Sequence, residues 1–207
     1  MVEPISAEPA DSRREDRRLA IIDAAEALFI EQGFERTSVA AIIKKSGGSL
    51  ATVYDLFGNK HGLLRAVAQH RRKGAMDQIG CIACEMDSCA AMLTLYAHRL
   101  YEHLTAPRSL ALIRMAITES LRDPEFGREF HREVHMTVVH ELAAAFAAWV
   151  REGRAEIDDP EAAAELFLAT VIGDALFRAM ADVESASMNA DQLDWRLAPF
   201  LSYFKLR

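Results

Sequence analysis

Residues 28–63 read LFIEQGFERTSVAAIIKKSGGSLATVYDLFGNKHGL, and the placement of glycines and hydroxyl residues in this stretch decides the fold of the N-terminal third. Just upstream, Leu19, Ile22, Ala25 and Phe29, with Ile21 and Leu28 beside them, recur in steps of three and four. That period predicts an amphipathic helix, and Gly33 stands where such a helix stops. Thr37 or Ser38 is placed to cap a second helix that turns Val39, Ile42 and Ile43 inward and ends on Lys44 and Lys45. Gly47-Gly48 make a tight turn, and Ser49 caps a short third helix from Leu50 to Phe57. Phe57 reads as a core aromatic. Gly58-Asn59 interrupt the chain before a fourth helix near Lys60.

The rest of the sequence is helical by the same criteria. Seven of the ten glycines fall between Gly33 and Gly80, and the remainder of the chain is rich in Ala and Leu. Asp123-Pro124-Glu125 and Asp159-Pro160-Glu161 share one pattern: a capping Asp, a Pro suited to the first turn and an acid that complements the dipole. They predict helix starts at 124 and 160. Phe126, Phe130, Val134, Val138, Leu142, Phe146 and Trp149 form one apolar stripe on a single long helix. Alternating strand patterns are absent. The expected fold is all-α with about nine helices. A tail covers residues 1–12, a three-helix unit 13–60 and a larger helical domain 61–207.

Composition sets the outer limits. A chain of 207 residues can bury about 70% of its unfolded surface without disulfide or metal support. With 51% apolar residues and a mean hydropathy of −0.01, wholesale disorder is excluded. The three cysteines, Cys81, Cys84 and Cys89, do not form a disulfide framework, and the N-terminus has no apolar core of a signal peptide. The apolar run Leu166 to Ile172 is far shorter than the ~18 residues of a membrane span. A cytoplasmic protein without a membrane partner is expected.

The net charge of −7 argues against a nucleic-acid partner until it is divided. Residues 11–73 hold 12 Lys and Arg against 8 Asp and Glu, whereas residues 74–207 hold 12 against 21. A small basic unit thus precedes a larger acidic one. Helix, glycine-containing turn, helix is the helix-turn-helix plan, whose second helix enters the major groove. The arm Arg13-Arg14-Glu15-Asp16-Arg17-Arg18 is mixed in charge and reads equally as a solvated helix start or as a phosphate contact.

These residues carry a resemblance. Leu28-Phe29-Ile30-Glu31-Gln32-Gly33-Phe34, Thr37-Ser38-Val39, Ser46-Gly47-Gly48-Ser49, Thr52-Val53-Tyr54, Phe57-Gly58-Asn59-Lys60 and Leu63 resemble the DNA-binding domain of TetR/AcrR-type regulators. Ser109-Leu110-Ala111-Leu112, Ile117-Thr118-Glu119, Asp123-Pro124-Glu125-Phe126 and Ile157-Asp158-Asp159-Pro160 resemble the AefR-type ligand domain of that family, as do Ala162, Ala163, Phe167 and Gly173. The resemblance implies a homodimeric regulator, a repressor, on a palindromic double-stranded DNA operator. It implies that Thr37 and Ser49 offer hydroxyls and capped N–H groups to phosphate, that Tyr54 and Lys60 bind phosphate, and that Leu50, Ala51, Thr52 and Asp55 face base edges. Gly48, Leu50 and Asp55 depart from the family pattern. Leu50 to Leu56 contain no Arg, Asn or Gln, so bidentate purine reading is not available from this helix. Thr52, thymine methyl contacts and DNA shape are left to read sequence.

The C-terminal part offers weaker signals. Helix 160–182 leaves almost no polar face, so one side needs a partner. The expected dimer surface pairs Phe167, Val171, Asp174 and Phe177 with Leu193 and Phe200 of the last helix. Asp174 is either buried with a partner or at the helix edge. Tyr96, His98, Tyr101, Met115, Phe130, His135 and Trp149 are the candidate lining of an effector pocket, which suits a small apolar or aromatic molecule. No cofactor is expected. Cys81-x-x-Cys84 with Cys89, and His131, His135 and His140, are incomplete metal patterns. No G-x-S-x-G, P-loop or G-x-G-x-x-G motif supports catalysis. The competing readings are a helical protein-docking module and a metal-binding helical protein.

Overall fold

The computed structural model describes residues 10–83, 88–181 and 188–206, and every regular element among them is helical. The chain divides into two compact units, Met1–His70 and Arg71–Arg207. The first holds α1 (Ala10–Gln32), α2 (Val39–Ser46), α3 (Leu50–Phe57) and the start of α4 (Lys60–Ala83). α1 begins inside the stretch expected to be a tail. The division falls inside α4 rather than at residue 60, because Leu63, Leu64 and Val67 of α4 are buried and belong to the first unit.

The local rules of that unit follow from hydrogen-bond supply. Ser38, not Thr37, caps α2 by accepting from the Ala41 N–H, and Ser49 caps α3 by accepting from the Thr52 N–H. Gly47 and Gly48 both have positive φ, +77° and +100°, which disfavours any side chain and accounts for glycine at position 48. The core consists of Ile21, Ile22, Ala25, Phe29, Phe34, Ile42, Val53 and Phe57 together with the α4 residues.

The second unit contains α5 (Cys89–Thr105), α6 (Pro107–Arg122), α7 (Pro124–Phe130), α8 (Met136–Arg151), α9 (Pro160–Ala181) and α10 (Ala190–Tyr203). The Asp-Pro-Glu patterns act as read: Asp123 accepts from the Glu125 and Phe126 N–H groups, and Asp159 from those of Glu161 and Ala162. Residues 124–151 are continuously helical, but a π-turn at His131–His135 separates α7 from α8. The sequence reading misses this turn. Its stripe puts Val138 inward, whereas the structure buries Val139 completely and Val138 only partly. A stripe advancing in steps of four drifts about 40° per step around an α-helix, and the extra residue of a π-turn absorbs part of that drift.

Phe146, Phe167 and Phe200 form the centre of this unit, with ring centroids 5.6–6.4 Å apart. Trp149 lies beside Phe146 with its ring tilted and the centroids 5.5 Å apart. Phe167, Val171, Leu193 and Phe200, expected on the dimer surface, are thus core residues of the chain itself. Truncating Phe167 to Ala should cost about 3–5 kcal/mol through the cavity it leaves. Urea denaturation of the full chain reads this as a lower midpoint, and an unchanged midpoint would contradict its central place.

Candidate nucleic-acid interface and effector region

α3 presents an exposed surface made of Leu50, Ala51, Tyr54 and Asp55, while Val53 and Phe57 anchor it from below. Tyr54 is 53% exposed, so its side chain is only partly packed. Ser49 is exposed, with Oγ 2.9 Å from Thr52 Oγ1 as well as capping the Thr52 N–H. The first-turn amides of α3 at Leu50 and Ala51 lie at an open helix N-terminus, which favours an anion. Six of the eight positions assigned to DNA, Ser49, Leu50, Ala51, Thr52, Tyr54 and Asp55, thus cluster on α3 or beside it.

Thr37 is placed differently from the reading that gave its hydroxyl to phosphate. It is buried, and Oγ1 donates to the Leu28 and Gly33 carbonyls at 3.1 and 2.8 Å. Lys60 is also committed inward: Nζ donates to the Phe34 and Thr37 carbonyls at 2.8 and 3.2 Å and sits 4.2 Å from the Phe34 ring centroid. Both residues brace the turn between α1 and α2. Sequence reasoning missed that role because it depends on a carbonyl-rich turn meeting a distant lysine.

The basic arm is ordered onto the same surface. Arg14 Nη2 donates to Asp55 Oδ2 at 3.3 Å, Arg17 Nη1 donates to the Ser46 carbonyl at 3.3 Å, and the Arg18 guanidinium lies 5.9 Å from the Phe57 ring centroid. The only hint in the sequence was the run of arginines at 13–18.

The residues proposed for an effector pocket do not form one group. Trp149 and Tyr101 are buried in the core, and the Tyr101 hydroxyl accepts from the Met188 N–H at 2.8 Å. His98 pairs with Asp194 at 2.6 Å. Tyr96 packs against Phe167, and burial, reinforced by Glu141 and opposed by Arg72, pushes its phenol up to about 12. Met115 and Phe130 are half-buried. His135 lies in the π-turn, its ring 5.1 Å from that of His131, and burial followed by the charge of His131 lowers its affinity for a proton. Cys89 is buried at the start of α5, and burial raises its thiol. The side chains of Cys81 and Cys84 lie outside the described residues. Among the described residues no three His, Cys, Asp or Glu side chains gather as metal ligands, and no helix is long and apolar enough to cross a membrane.

Residues 21–67 match the family described as bacterial regulatory proteins, tetR family, and residues 91–198 match the AefR-like transcriptional repressor C-terminal domain. The chain belongs to the TetR family. As a TetR-family member it is a DNA-binding transcriptional regulator. A TetR-family regulator from Mesorhizobium loti MAFF303099 superposes with a TM-score of 0.76 at 26% identity, covering 95% of this chain and 99% of that one. The flavonoid-responsive regulator FrrA gives 0.66 at 25% identity, over 90% and 96% of the two chains. The repressor ComR of Escherichia coli K12 is 44% identical over 50 residues, so the match spans about a quarter (24%) of each chain.

Two outcomes follow from this geometry. Lys60→Ala should lower stability by about 1–3 kcal/mol, since it leaves two carbonyls without a charged donor; a thermal melt identical to that of the parent would contradict the bracing role. The proton on His135 is held less tightly in the folded chain than at the ordinary value of 6.5. Stability should be level above that range and fall as the pH drops through it, because the unfolded chain takes up the proton first. Comparing unfolding at about pH 7.5 and about pH 5 in the parent and in His135→Gln, the variant should lose less stability on acidification.

Proposed function

We propose that the protein is a homodimeric repressor that binds a palindromic operator and is released by a small apolar or aromatic effector. The observation that carries the dimer is an exposed apolar stripe on α9. Leu166, Ala169, Gly173, Phe177 and Met180 recur in steps of three and four and face solvent, with Phe177 66% exposed. On α10, Trp195, Pro199 and Tyr203 continue the pattern and are also exposed. Contiguous exposed apolar surface of this kind marks an association site, and a two-fold axis would pair the same stripe from each copy into a four-helix interface. The interface therefore uses the faces of α9 and α10 opposite the Phe167 and Phe200 core. Asp174 lies at the edge of a cavity of about 230 Å³ that Met188, Gln192, Trp195 and Arg196 also line.

Two half-sites read by two recognition helices should lie about 34–36 Å apart or at a multiple of that. The α3 N-terminus and Tyr54 supply phosphate contacts, and the small positive charge of residues 11–73 makes the pairing of two units important for affinity. The half-buried Tyr96, Met115, Phe130 and His135 remain the effector candidates, and the flavonoid response of FrrA supports an aromatic ligand. α4 is the element through which release would act. Just beyond the first unit, Arg71 donates to Ser109 of α6 at 3.2 Å and Arg72 to Glu141 of α8 at 2.5 Å. An effector that alters the packing of α6 would alter the first tether, and one that alters α8 the second. It releases the operator only by favouring the released state, and about 1.4 kcal/mol of such preference is tenfold in affinity.

Selection of bound sequences from random duplex DNA should enrich a palindrome; a protein-docking module would enrich none. On the selected operator, Tyr54→Phe should weaken binding about three- to tenfold without changing the melting temperature. Phe177→Glu should give a monomer by sedimentation and abolish tight operator binding. A Phe177→Glu dimer would refute the α9 interface.

A further inference from the structure

A recognition helix without Arg, Asn or Gln leaves the purine-reading chemistry of the half-site unassigned. The structure brings in a guanidinium from another element. The N-terminal part of α1 lies along the helix-turn-helix side of the unit, held at three points. Arg18 lies over the Phe57 ring, Arg17 donates to the Ser46 carbonyl beside the Gly47-Gly48 turn, and Arg14 reaches Asp55. Between this part of α1 and α3 runs an open groove of about 510 Å³ with Arg13, Arg14 and Arg17 on one side and Ala51, Thr52 and Asp55 on the other. The groove therefore opens onto the DNA-facing surface of the recognition helix.

Asp55 is otherwise hard to account for. A carboxylate on the exposed face of a DNA-reading helix repels phosphate. Its ion pair with Arg14 is too exposed, at 71% and 66% for the two side chains, to contribute much to stability. It does, however, bring Arg14 Nη2 to within 3.3 Å of a carboxylate on α3. A guanidinium has five N–H donors in a planar fork, so the one nitrogen on Asp55 leaves others directed away from it. Two parallel donors of this kind match O6 and N7 of guanine in the major groove.

We infer that Arg14 is the guanine-reading residue of each half-site and that Asp55 is the positioning residue that aims it. The inference rests on the DNA-binding reading above. Arg14 arrives from α1 rather than from α3, and the recognition surface is composite: α3 supplies shape, phosphate contacts and the carboxylate, and α1 supplies the fork. Arg13 and Arg17, on the same side of the groove, are placed for backbone phosphate.

The test is sequence selection from random duplex DNA with the full-length parent, Arg14→Lys, Arg14→Ala and Asp55→Asn, followed by titration of the selected operator and single-base variants at two salt concentrations. The parent should require one G·C pair per half-site, with about ten- to a hundredfold loss when it is replaced. Arg14→Lys keeps the charge but not the fork, so it should keep the salt dependence and lose the preference at that pair alone. Arg14→Ala should lose both the preference and about one unit of salt slope. Asp55→Asn should bind random DNA more tightly while preferring the same pair less. Unchanged preferences in both Arg14 variants would overturn the assignment, whatever their overall affinity. An Asp55→Asn protein with the parent's preferences would overturn the positioning role. No palindrome from the parent would instead refute the DNA-binding reading, and the inference with it. All of these side chains are exposed, and matching thermal melts exclude misfolding as the cause.

Discussion

The turn that leaves α1 has more carbonyls than its own amides can satisfy, and the arrangement of the DNA-binding unit depends on how that shortage is met. A helix end leaves its last carbonyls without partners. Here Gly33 N–H serves the Phe29 carbonyl, the Thr37 hydroxyl serves those of Leu28 and Gly33, Arg36 serves Gln32, and Lys60 serves Phe34 and Thr37. The donors come from α1's own turn, from the approach to α2 and from the start of α4. Satisfying one helix end therefore fixes where two other helices begin. α3 lies between those fixed points, capped at each end, with one face exposed.

The division of labour in the chain is visible in its charge. The basic unit has a margin of only four charges over 63 residues, and the rest of the chain is acidic. On the proposed dimer, affinity comes from few contacts made twice, and the apolar stripe of α9 then matters to DNA binding as much as α3.

Local chemistry was legible in the sequence and phase was not. The capping residues Ser49, Asp123 and Asp159 and the helix starts at Pro124 and Pro160 could be read directly, because each depends on neighbours within four residues. The two faces of α9 could not be told apart. Both are apolar, so Phe167 and Phe177 look alike in the sequence, although one fills the core and the other faces solvent. Thr37 and Lys60, which the resemblance assigns to phosphate, instead bond inward to partners up to 26 residues away, beyond any local pattern. The same holds for Arg14 and Asp55, separated by 41 residues.

The π-turn at residues 131–135 has a meaning in terms of length as well as packing. A helix that has taken in one surplus residue there can give it up there, returning to ordinary α geometry while Leu142, Phe146 and Trp149 keep their facing. A residue gained or lost anywhere in α8 would instead turn everything beyond it by about 100° and carry those aromatics out of the core. The segment is thus the one point between Pro124 and Arg151 where the chain can change its length and keep its interior.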